Sequence, residues 1–302
     1  HSTMMFFTEM GRLYWLKVYE IPEGNKQSKG RAIQNIINLQ KGDKVRAFIN
    51  VKGLNDAEYV QNHYLIFATK NGLMKKTTLE AYSRPRANGI IALSLREGDE
   101  LIGVRLTDGE SEMLIASYNG KVVRFPENTI RPMGRSASGV RAIKLDEDSQ
   151  DRAVGMICVE KGSDKTVLVI SDKGFGKRTA LDDENGEPIY RITNRGGKGV
   201  KTINITEKTG KLISIQAVTD QNDLMIINRS GLTIRTAVEQ IRVAGRATQG
   251  VKIINLREGD SIASVMAVPK SEDEAELVEG VVETAEATEV TPVVETVESE
   301  TN

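Results

Sequence analysis

The sequence lacks most features of a secreted, zinc-binding or membrane protein. Its 302 residues include one cysteine and two histidines, so no intrachain disulfide can form, and neither His1 nor His63 has partners at metal-ligand spacing. Cys158 has apolar neighbours and is predicted to be a buried strand residue, whereas His63 is predicted to lie on a strand at the surface. The apolar runs are far shorter than the roughly 20 residues of a membrane helix, and no signal peptide is visible. These absences favour a cytoplasmic protein without metal, disulfide or membrane partner.

Catalytic patterns are equally scarce. The segment from Gly174 to Thr179 lacks the spacing of a phosphate-binding loop, and no helix pattern follows it. The carboxylate pairs Glu97/Asp99 and Glu258/Asp260 each flank a glycine and indicate turns rather than acid-base catalysis. The sequence therefore predicts neither catalytic residues nor a cofactor or metal site, and an enzyme finds little support.

Positive and negative charges are separated along the chain. The whole sequence has 41 basic and 42 acidic side chains, but residues 271–302 hold eleven of the acids and no lysine or arginine. The remainder therefore carries ten more positive than negative charges, which favours a polyanionic partner, although solubility alone is an alternative explanation. We expect residues 1–268 to form the folded domain and residues 269–302 to be an acidic, disordered tail.

Two sequence elements recur in the same order five times. The first is an apolar run, a turn with glycine and a short run that contains a cation. The second is a glycine followed by apolar residues and a polar turn. The paired glycines are Gly11/Gly30, Gly72/Gly89, Gly120/Gly139, Gly174/Gly199 and Gly231/Gly250. Repeats of this order predict stacked structural units.

The units have the composition of β-strands. The alternation of Ile91, Leu93 and Leu95 predicts a half-buried strand, and Asn71-Gly72 and Asn119-Gly120 predict tight hairpins because both residue types tolerate positive φ. Helix signals are nearly absent. The fold class is therefore all-β, with either a propeller-like ring of blades or an array of small separate domains. A ring is favoured, because one such unit alone is too small to be stable.

The repeats resemble a known family at several places. The segment G-R-L-Y-W-L-K-V-Y-E-I-P at residues 11–22 and D-E-L-I-G-V-R-L-T at 99–107 carry the resemblance. It continues through G-K-V-V-R-F at 120–125, G-F-G-K-R-T-A at 174–180 and G-R-A-T-Q-G-V at 245–251. Together these are similar to the C-terminal domain of bacterial DNA gyrase A, with the related C-terminal domain of topoisomerase IV as the alternative.

The resemblance implies a β-pinwheel, a six-bladed relative of the propeller whose neighbouring blades exchange strands. It implies non-catalytic binding, bending and wrapping of duplex DNA for an enzyme that introduces negative supercoils in the bacterial cytoplasm, at the nucleoid. It further implies a parent heterotetramer of DNA gyrase A with gyrase B, with ATP and magnesium used elsewhere, and an isolated domain that is monomeric and needs no cofactor.

The family's hallmark box, Q-R-R-G-G-K-G, is absent. It belongs to the first blade and would precede residue 1, so we expect five units of six, with the first blade truncated. A box-like stretch, N-R-G-G-K-G, occupies residues 194–199.

Cations recur at equivalent places and are the predicted DNA contacts. The position four residues after the turn glycine is a cation in four units, and Lys17 lies two residues beyond it in the first. Because alternate strand residues share a face, this position predicts a ring of charge. The loops between the two elements add further cations. The complete predicted set is Lys17, Lys29, Arg31, Lys76, Arg84, Arg86, Arg124, Arg131, Arg135, Arg178, Arg191, Arg195, Lys198, Arg235, Arg242 and Arg246.

Two further hypotheses stay open. A propeller-like ring could instead bind proteins, without any nucleic-acid function. The acidic tail could compete with DNA for the basic surface, or could serve solubility only.

Overall fold

The structure is a computed structural model and describes residues 2–24 and 28–270, so the predicted acidic tail lies outside the described residues from position 271 onward. Almost all its regular structure is β. The strands are β1 (Thr3–Thr8), β2 (Arg12–Lys17), β3 (Val45–Val51), β4 (Tyr64–Thr69), β5 (Leu73–Thr78), β6 (Ile90–Ile91), β7 (Leu101–Thr107), β8 (Glu112–Ser117), β9 (Lys121–Pro126), β10 (Val140–Arg141), β11 (Ala153–Val159), β12 (Thr166–Ser171), β13 (Phe175–Ala180), β14 (Val200–Lys201), β15 (Leu212–Val218), β16 (Asn222–Asn228), β17 (Thr233–Ala237), β18 (Val251–Lys252) and β19 (Ile262–Pro269).

Helices are short. One α-helix, α1 (Ala57–Asn62), and six 3-10 turns are present in the described residues. The 3-10 turns span Val18–Glu20, Ile33–Asn35, Leu79–Tyr82, Glu127–Thr129, Glu147–Ser149 and Val238–Gln240. No helix in this part of the chain has the length and apolar character needed to cross a membrane.

The strands form five sheets, one for each sequence repeat. From one edge to the other, blade 1 is β3-β1-β2-β6, blade 2 is β7-β4-β5-β10, blade 3 is β11-β8-β9-β14, blade 4 is β15-β12-β13-β18 and blade 5 is β19-β16-β17. The repeat prediction is confirmed: the arrangement is all-β and propeller-like. The described residues contain five blades, not six.

Neighbouring blades exchange strands. The last strand of each of the first four blades comes from the following repeat, so that β6 of the second repeat pairs with β2 of the first. Each exchanged strand has only two residues and follows the second glycine of its repeat. An array of independent small domains is therefore excluded for the described residues, because each of the first four sheets is completed by a strand of the following repeat.

The hydrophobic cores lie between successive blades. In β4, Leu65 and Phe67 pack towards blade 1, whereas Ile66 and Ala68 pack towards blade 3, and all four are buried. A strand that is covered on both faces needs apolar residues at every position, which explains the continuous apolar run in the sequence. Stacking of this kind is what stabilises repeats that could not bury a core alone.

The edge strand that is named first in the order given above lies nearest the centre in each blade. The strands β3, β7, β11, β15 and β19 together line one cavity of about 480 Å³. The exchanged strands lie at the opposite edge of each sheet, so this edge is the outer rim of the molecule.

The hairpins have the predicted location but a different conformation. Gly72 and Gly120 each have φ of +77°, yet the residues before them do not have positive φ. In both turns the glycine amide donates to the residue three positions earlier, Thr69 or Ser117. The glycine therefore ends the turn in the left-handed region, and the expectation of positive φ at both residues of each pair is wrong.

The second element forms less strand than its alternation suggests. Ile91 is 57% exposed, whereas Leu93 is 1% exposed, so they do not share a buried face. After two paired residues the chain leaves the sheet, where the Ala92 amide donates to the Gly11 carbonyl and Leu93 enters the core between blades 1 and 2. The strand prediction fails here because a bend interrupts the alternation.

The carboxylates of the second element cap hairpins, which confirms the turn interpretation. Asp99 accepts from the Asn71 amide at 2.9 Å, and Asp43 and Asp151 accept equivalent bonds from Met10 and Asn119. Each of these aspartates thus joins the turn of its own second element to the hairpin of the same blade.

Two residues differ from expectation near the core. Cys158 lies on β11 as predicted but is only partly buried. His63 follows α1 instead of lying in a strand, and Asp56 caps this unpredicted helix by accepting from the amides of Glu58 and Tyr59. A cap of this type is the signal that sequence reasoning missed.

Candidate nucleic-acid interface

The predicted cations fall into two groups with different environments. We call Lys76, Arg124, Arg178 and Arg235 the inner cations, since they occupy the position four residues after each turn glycine. Lys76 is 4% exposed, and its Nζ lies 2.8 Å from Glu127 Oε1, itself fully buried. The Nζ also lies 4.2 Å from the centre of the Tyr64 ring. Lys76 is thus an interior cation that joins blade 2 to the next repeat.

Arg124 makes the most extensive network of this group. It is 4% exposed and reaches Glu112 at 2.6 Å and Asp182 at 2.8 Å. It also donates to the carbonyl of Leu181 at 3.0 Å. Burial lowers the pKa of Arg124, but the hydrogen bonds to Asp182 and Glu112 outweigh it and raise the pKa above the ordinary value. Arg124 therefore stays charged while it ties blade 3 to the following repeat.

The remaining inner cations, Arg178 and Arg235, also pair with aspartates but differ in exposure. Arg178 is 7% exposed, donates to the Ile241 carbonyl at 2.8 Å and pairs with Asp220. Arg235 lies in blade 5; its side chain is 38% exposed and pairs with Asp223 at 2.7 Å.

The predicted ring of exposed charge at this position is therefore wrong for three of its four members. Lys76, Arg124 and Arg178 are buried because the following repeat covers them, and no phosphate could reach them in this conformation. In the first unit Trp15 takes the position and donates to the Tyr82 carbonyl at 3.1 Å, another link to the next repeat. Lys17, further along that strand, is partly buried and donates to Thr3 Oγ1 at 3.0 Å.

The second group lies on the outer rim. The loops 83–89, 131–139, 191–199 and 242–250 lead into the exchanged strands, and we call them the rim loops. Their cations are exposed, apart from the partly buried Arg246. These rim cations are Arg84, Arg86, Arg131, Arg135, Arg191, Arg195, Lys198, Arg242 and Arg246.

Each rim loop from the third repeat onward rests on the third strand of the preceding blade, which is β5, β9 or β13. The amide of Met133 donates to the Lys76 carbonyl at 2.8 Å, and those of Thr193 and Ala244 donate to the carbonyls of Arg124 and Arg178 at 2.9 and 2.8 Å. The backbone of Lys76, Arg124 and Arg178 is therefore hydrogen-bonded directly to the backbone of the rim loop that covers each of them.

Two rim arginines also hold neighbouring backbone. Arg195 donates to the carbonyls of Thr129 and Arg141, both at 3.2 Å, and Arg246 donates to the Lys201 carbonyl at 2.8 Å. These contacts fix the guanidinium groups while leaving donors for an anion, since arginine carries five.

The box-like stretch 194–199 forms part of a surface cavity of about 410 Å³. Arg191, Arg195 and Lys198 line it together with glycines, valines and the uncharged Thr193 and Asn194, and no carboxylate does. An open, positive cavity of this kind suits a phosphate group.

The first unit contributes less. Lys29 and Arg31 are exposed, but the segment after Gly30 forms no strand. The neighbouring Lys26 lies outside the described residues.

The structure adds rim cations that sequence reasoning missed. Arg141, Lys201 and Lys252 are exposed and lie on the exchanged strands β10, β14 and β18. Each stands two residues after the second glycine of its repeat, so the repeat alignment contained the signal.

Among the described residues, no group of three or more histidine, cysteine or acidic side chains could hold a metal ion.

Comparisons with known proteins agree on one family. The family described as "DNA gyrase C-terminal domain, beta-propeller" matches residues 2–52, 63–108, 111–160, 165–219 and 222–269. DNA gyrase A of Staphylococcus aureus strain MRSA252 is 43% identical over 274 residues, covering 91% of this chain and 30% of the relative. The chain therefore spans about a third of the length of such relatives.

Solved structures share the fold. A C-terminal domain of DNA topoisomerase IV superposes with a TM-score of 0.77 at 22% identity, covering 94% of this chain and 84% of that one. A DNA gyrase A C-terminal domain gives 0.72 at 22% identity, covering 88% and 82%. The fold alone does not separate gyrase from topoisomerase IV, whereas the sequence matches point to gyrase.

Proposed function

The chain belongs to the family of DNA gyrase A C-terminal domains, and from this premise we propose that it binds, bends and wraps duplex DNA without sequence specificity. In this proposal it is a non-catalytic part of a type IIA topoisomerase that introduces negative supercoils. It needs no cofactor of its own and works in the bacterial cytoplasm with gyrase B, while ATP and magnesium act elsewhere in the parent enzyme.

The observation that carries the proposal is the row of exposed cations on consecutive rim loops. Duplex DNA has a persistence length of about 150 bp, so wrapping it around a small protein costs several kcal/mol. Many separate phosphate contacts must offset this cost. Exposed cations repeated from blade to blade supply such contacts along a curved path, whereas clustered cations would hold only one point of the duplex.

The chemistry of the rim favours phosphate contacts over base contacts. Exposed arginines and lysines bind phosphates irrespective of sequence, and no helix of the described chain is long enough to fill a major groove. About 5 to 10 phosphate contacts would make log K fall with log salt at a slope of roughly −4 to −9. Sequence preference would then reflect how easily a duplex bends.

A topology assay tests the proposal. Nicked circular DNA is ligated in the presence of the 302-residue chain over a range of salt concentrations, and the linking number of the product is measured. We expect a shift in linking number at low salt that disappears as salt rises. Binding without a shift would reduce the function to DNA binding, and no binding at low salt would favour the protein-binding alternative.

We also propose a sixth blade between blade 5 and blade 1 in the complete family module. In the described residues, the segment after Gly30 is the only second element that pairs with no strand. Blade 5 has three strands and ends at β17, whereas each of the other blades has four. The apolar side chains of Phe48 and Ile227, on blades 1 and 5, are 53% and 39% exposed.

Hydrogen exchange distinguishes a six-bladed from a five-bladed module. The amides of β17 are compared between the 302-residue chain and the full-length protein. Slower exchange of the Thr233 amide at the start of β17 is expected in the full-length protein, and equal rates would contradict the sixth blade.

A further inference from the structure

Two lysines beneath the rim loops are buried without a carboxylate partner. Lys75 in blade 2 is 1% exposed, and Lys177 in blade 4 is fully buried. No ion pair within residues 2–24 and 28–270 includes either Nζ. Burying an ammonium group is costly unless hydrogen bonds compensate it, so the contacts of these two groups indicate their role.

Both ammonium groups hold the backbone of a rim loop. Lys75 Nζ donates to the carbonyl of Arg135 at 2.7 Å and more weakly to that of Gly134 at 3.4 Å, and also to the Ala92 carbonyl at 2.7 Å. Lys177 Nζ donates to the carbonyl of Arg246 at 2.6 Å and to that of Gly245. In each loop the two carbonyls belong to an arginine and to the glycine that precedes it.

The two loops have the same turn. The amide of Ala137 donates to the Gly134 carbonyl at 3.2 Å, and that of Thr248 donates to the Gly245 carbonyl at 3.2 Å. The lysine thus fixes the start of the turn from below, while Arg135 stays exposed and Arg246 partly exposed above it.

Blade 3 offers an internal comparison. Val123 occupies the equivalent position, three residues after the turn glycine, and its side chain cannot donate. The loop above it, 191–199, is instead held by its own Arg195 through the carbonyls of Thr129 and Arg141. Of the three rim loops from the third repeat onward, two therefore depend on a buried lysine and one does not.

We propose that Lys75 and Lys177 are positioning residues that hold the loops 131–139 and 242–250 in the shape that binds DNA phosphates, and that DNA binding at these loops is coupled to protonation of the two lysines. The proposal rests on the proposed function of the rim. It goes beyond it by assigning two buried residues and a proton to the binding step.

The coupling follows from the charges around each ammonium group. Burial, together with the positive charge of Arg135, lowers the pKa of Lys75 to about 7. Burial and Arg246 lower the pKa of Lys177 to about 8. A phosphate bound at either arginine would offset its charge and raise the lysine pKa, so that the complex takes up protons.

The other titratable groups near these lysines do not change charge in this range. Tyr82 shares the Ala92 carbonyl with Lys75, and burial raises its pKa. Tyr190 also senses Arg246, and burial raises its pKa as well. The Phe67 ring, 5.1 Å from Lys75 Nζ, carries no charge.

The sign of the effect is fixed by this linkage. The lysines are partly neutral in the free protein above pH 7 and become protonated in the complex. DNA affinity should therefore fall as pH rises from about 7 to 9, by up to about tenfold per pH unit for each proton taken up.

The test measures binding of one linear duplex to the 302-residue chain at about pH 6.5 to 9 and at several salt concentrations. Calorimetry in buffers of different ionisation heat gives the protons taken up by the unmodified chain directly. The variants are Lys75→Met with Lys177→Met, which removes charge and donors, and Lys75→Arg with Lys177→Arg, which keeps both but does not titrate. Ile234→Met, at the equivalent position of blade 5 and outside the rim loops, is the matched control, and circular dichroism verifies folding.

The unmodified chain is expected to take up protons when it binds DNA. The methionine pair should bind more weakly, independently of pH and with a shallower salt slope. The arginine pair should bind strongly and independently of pH. Should the methionine pair misfold, the calorimetry and the arginine pair decide. Tight binding by the unmodified chain without proton uptake would overturn the inference and leave the proposed function intact. Absence of binding by the unmodified chain at low salt would overturn both.

Discussion

The inner cations and the rim cations repeat with the same blade period but have different environments. Arg124 is 4% exposed between Glu112 and Asp182, whereas Arg131, on the rim loop that reaches blade 2, is exposed. The difference arises because the rim loop of one repeat covers the third strand of the preceding blade. Cations under the loop link one blade to the next repeat, whereas cations on the loop remain available to a ligand. A periodic cation therefore shows that a position is equivalent in every blade, but not that it is exposed.

The largest effect should come from breaking the inner network at Arg124. Arg124→Met leaves Glu112 buried without its partner, which costs about 3–5 kcal/mol of unfolding free energy. Urea unfolding measures this loss. The salt slope of DNA binding, measured where the variant is still folded, should stay unchanged.

A second substitution sharpens the result. Adding Glu112→Leu removes the unpaired carboxylate and should restore much of the lost stability. A stable Arg124→Met protein with weakened DNA binding would place Arg124 on the DNA track and contradict the distinction between the two groups.

A smaller effect concerns pH and the buried lysines. The pKa of Lys75 is about 7 in the fold, against an ordinary value of 10.5. Between these values the unfolded chain binds more protons than the folded one, so this group makes the unfolding free energy rise with pH, by at most about 1.4 kcal/mol per unit. Urea unfolding at about pH 7 and pH 9 should show a steeper rise for the unmodified chain than for Lys75→Met. Equal slopes would mean that Lys75 keeps an ordinary pKa in the fold.

Reversing charge on the rim should affect binding more than folding. Arg131→Glu with Arg135→Glu removes up to two phosphate contacts and should reduce the salt slope by about 1 to 2, while stability changes by no more than about 0.5 kcal/mol. Fluorescence anisotropy with a labelled duplex at several salt concentrations measures the slope.

The chain offers a matched control. Lys52→Glu with Lys161→Glu makes the same change in net charge at exposed positions just after the innermost strands β3 and β11. If this pair weakens binding as much as the rim pair, net charge rather than the rim explains the affinity.

The smallest effect is expected from the acidic tail. Deleting residues 271–302 removes eleven negative charges and should raise DNA affinity a few-fold at low salt, with little change at high salt where charges are screened. Equal affinity at low salt would leave the tail with a solubility role only.

Much of the fold was predictable because the repeat is explicit in the sequence. The five glycine pairs mark five blades, and the apolar run of β4 follows from burial on both faces. The exposure of Ile91 and the short helix α1 were missed, because a bend after two residues and a single cap at Asp56 leave weak local patterns.

The site was predicted in part. The loop cations were found by their recurrence and are exposed apart from Arg246, and their contact with DNA stays a prediction. Lys76, Arg124 and Arg178 were misassigned to the surface, because the loop that covers each one comes from a repeat more than 50 residues further along the chain. Lys75 and Lys177 were missed for the same reason, since the carbonyls that they hold lie about 60 and 70 residues away.

The central claim is that DNA follows the rim loops and not the inner cations. The most direct measurement is arginine modification by a guanidinium-specific reagent, with and without bound duplex, with each site quantified by mass spectrometry. The account predicts that DNA protects Arg131, Arg135, Arg191 and Arg242, and leaves the buried Arg124 equally unreactive in both samples. Rim arginines that react as fast in the wrapped complex as in the free protein would contradict it.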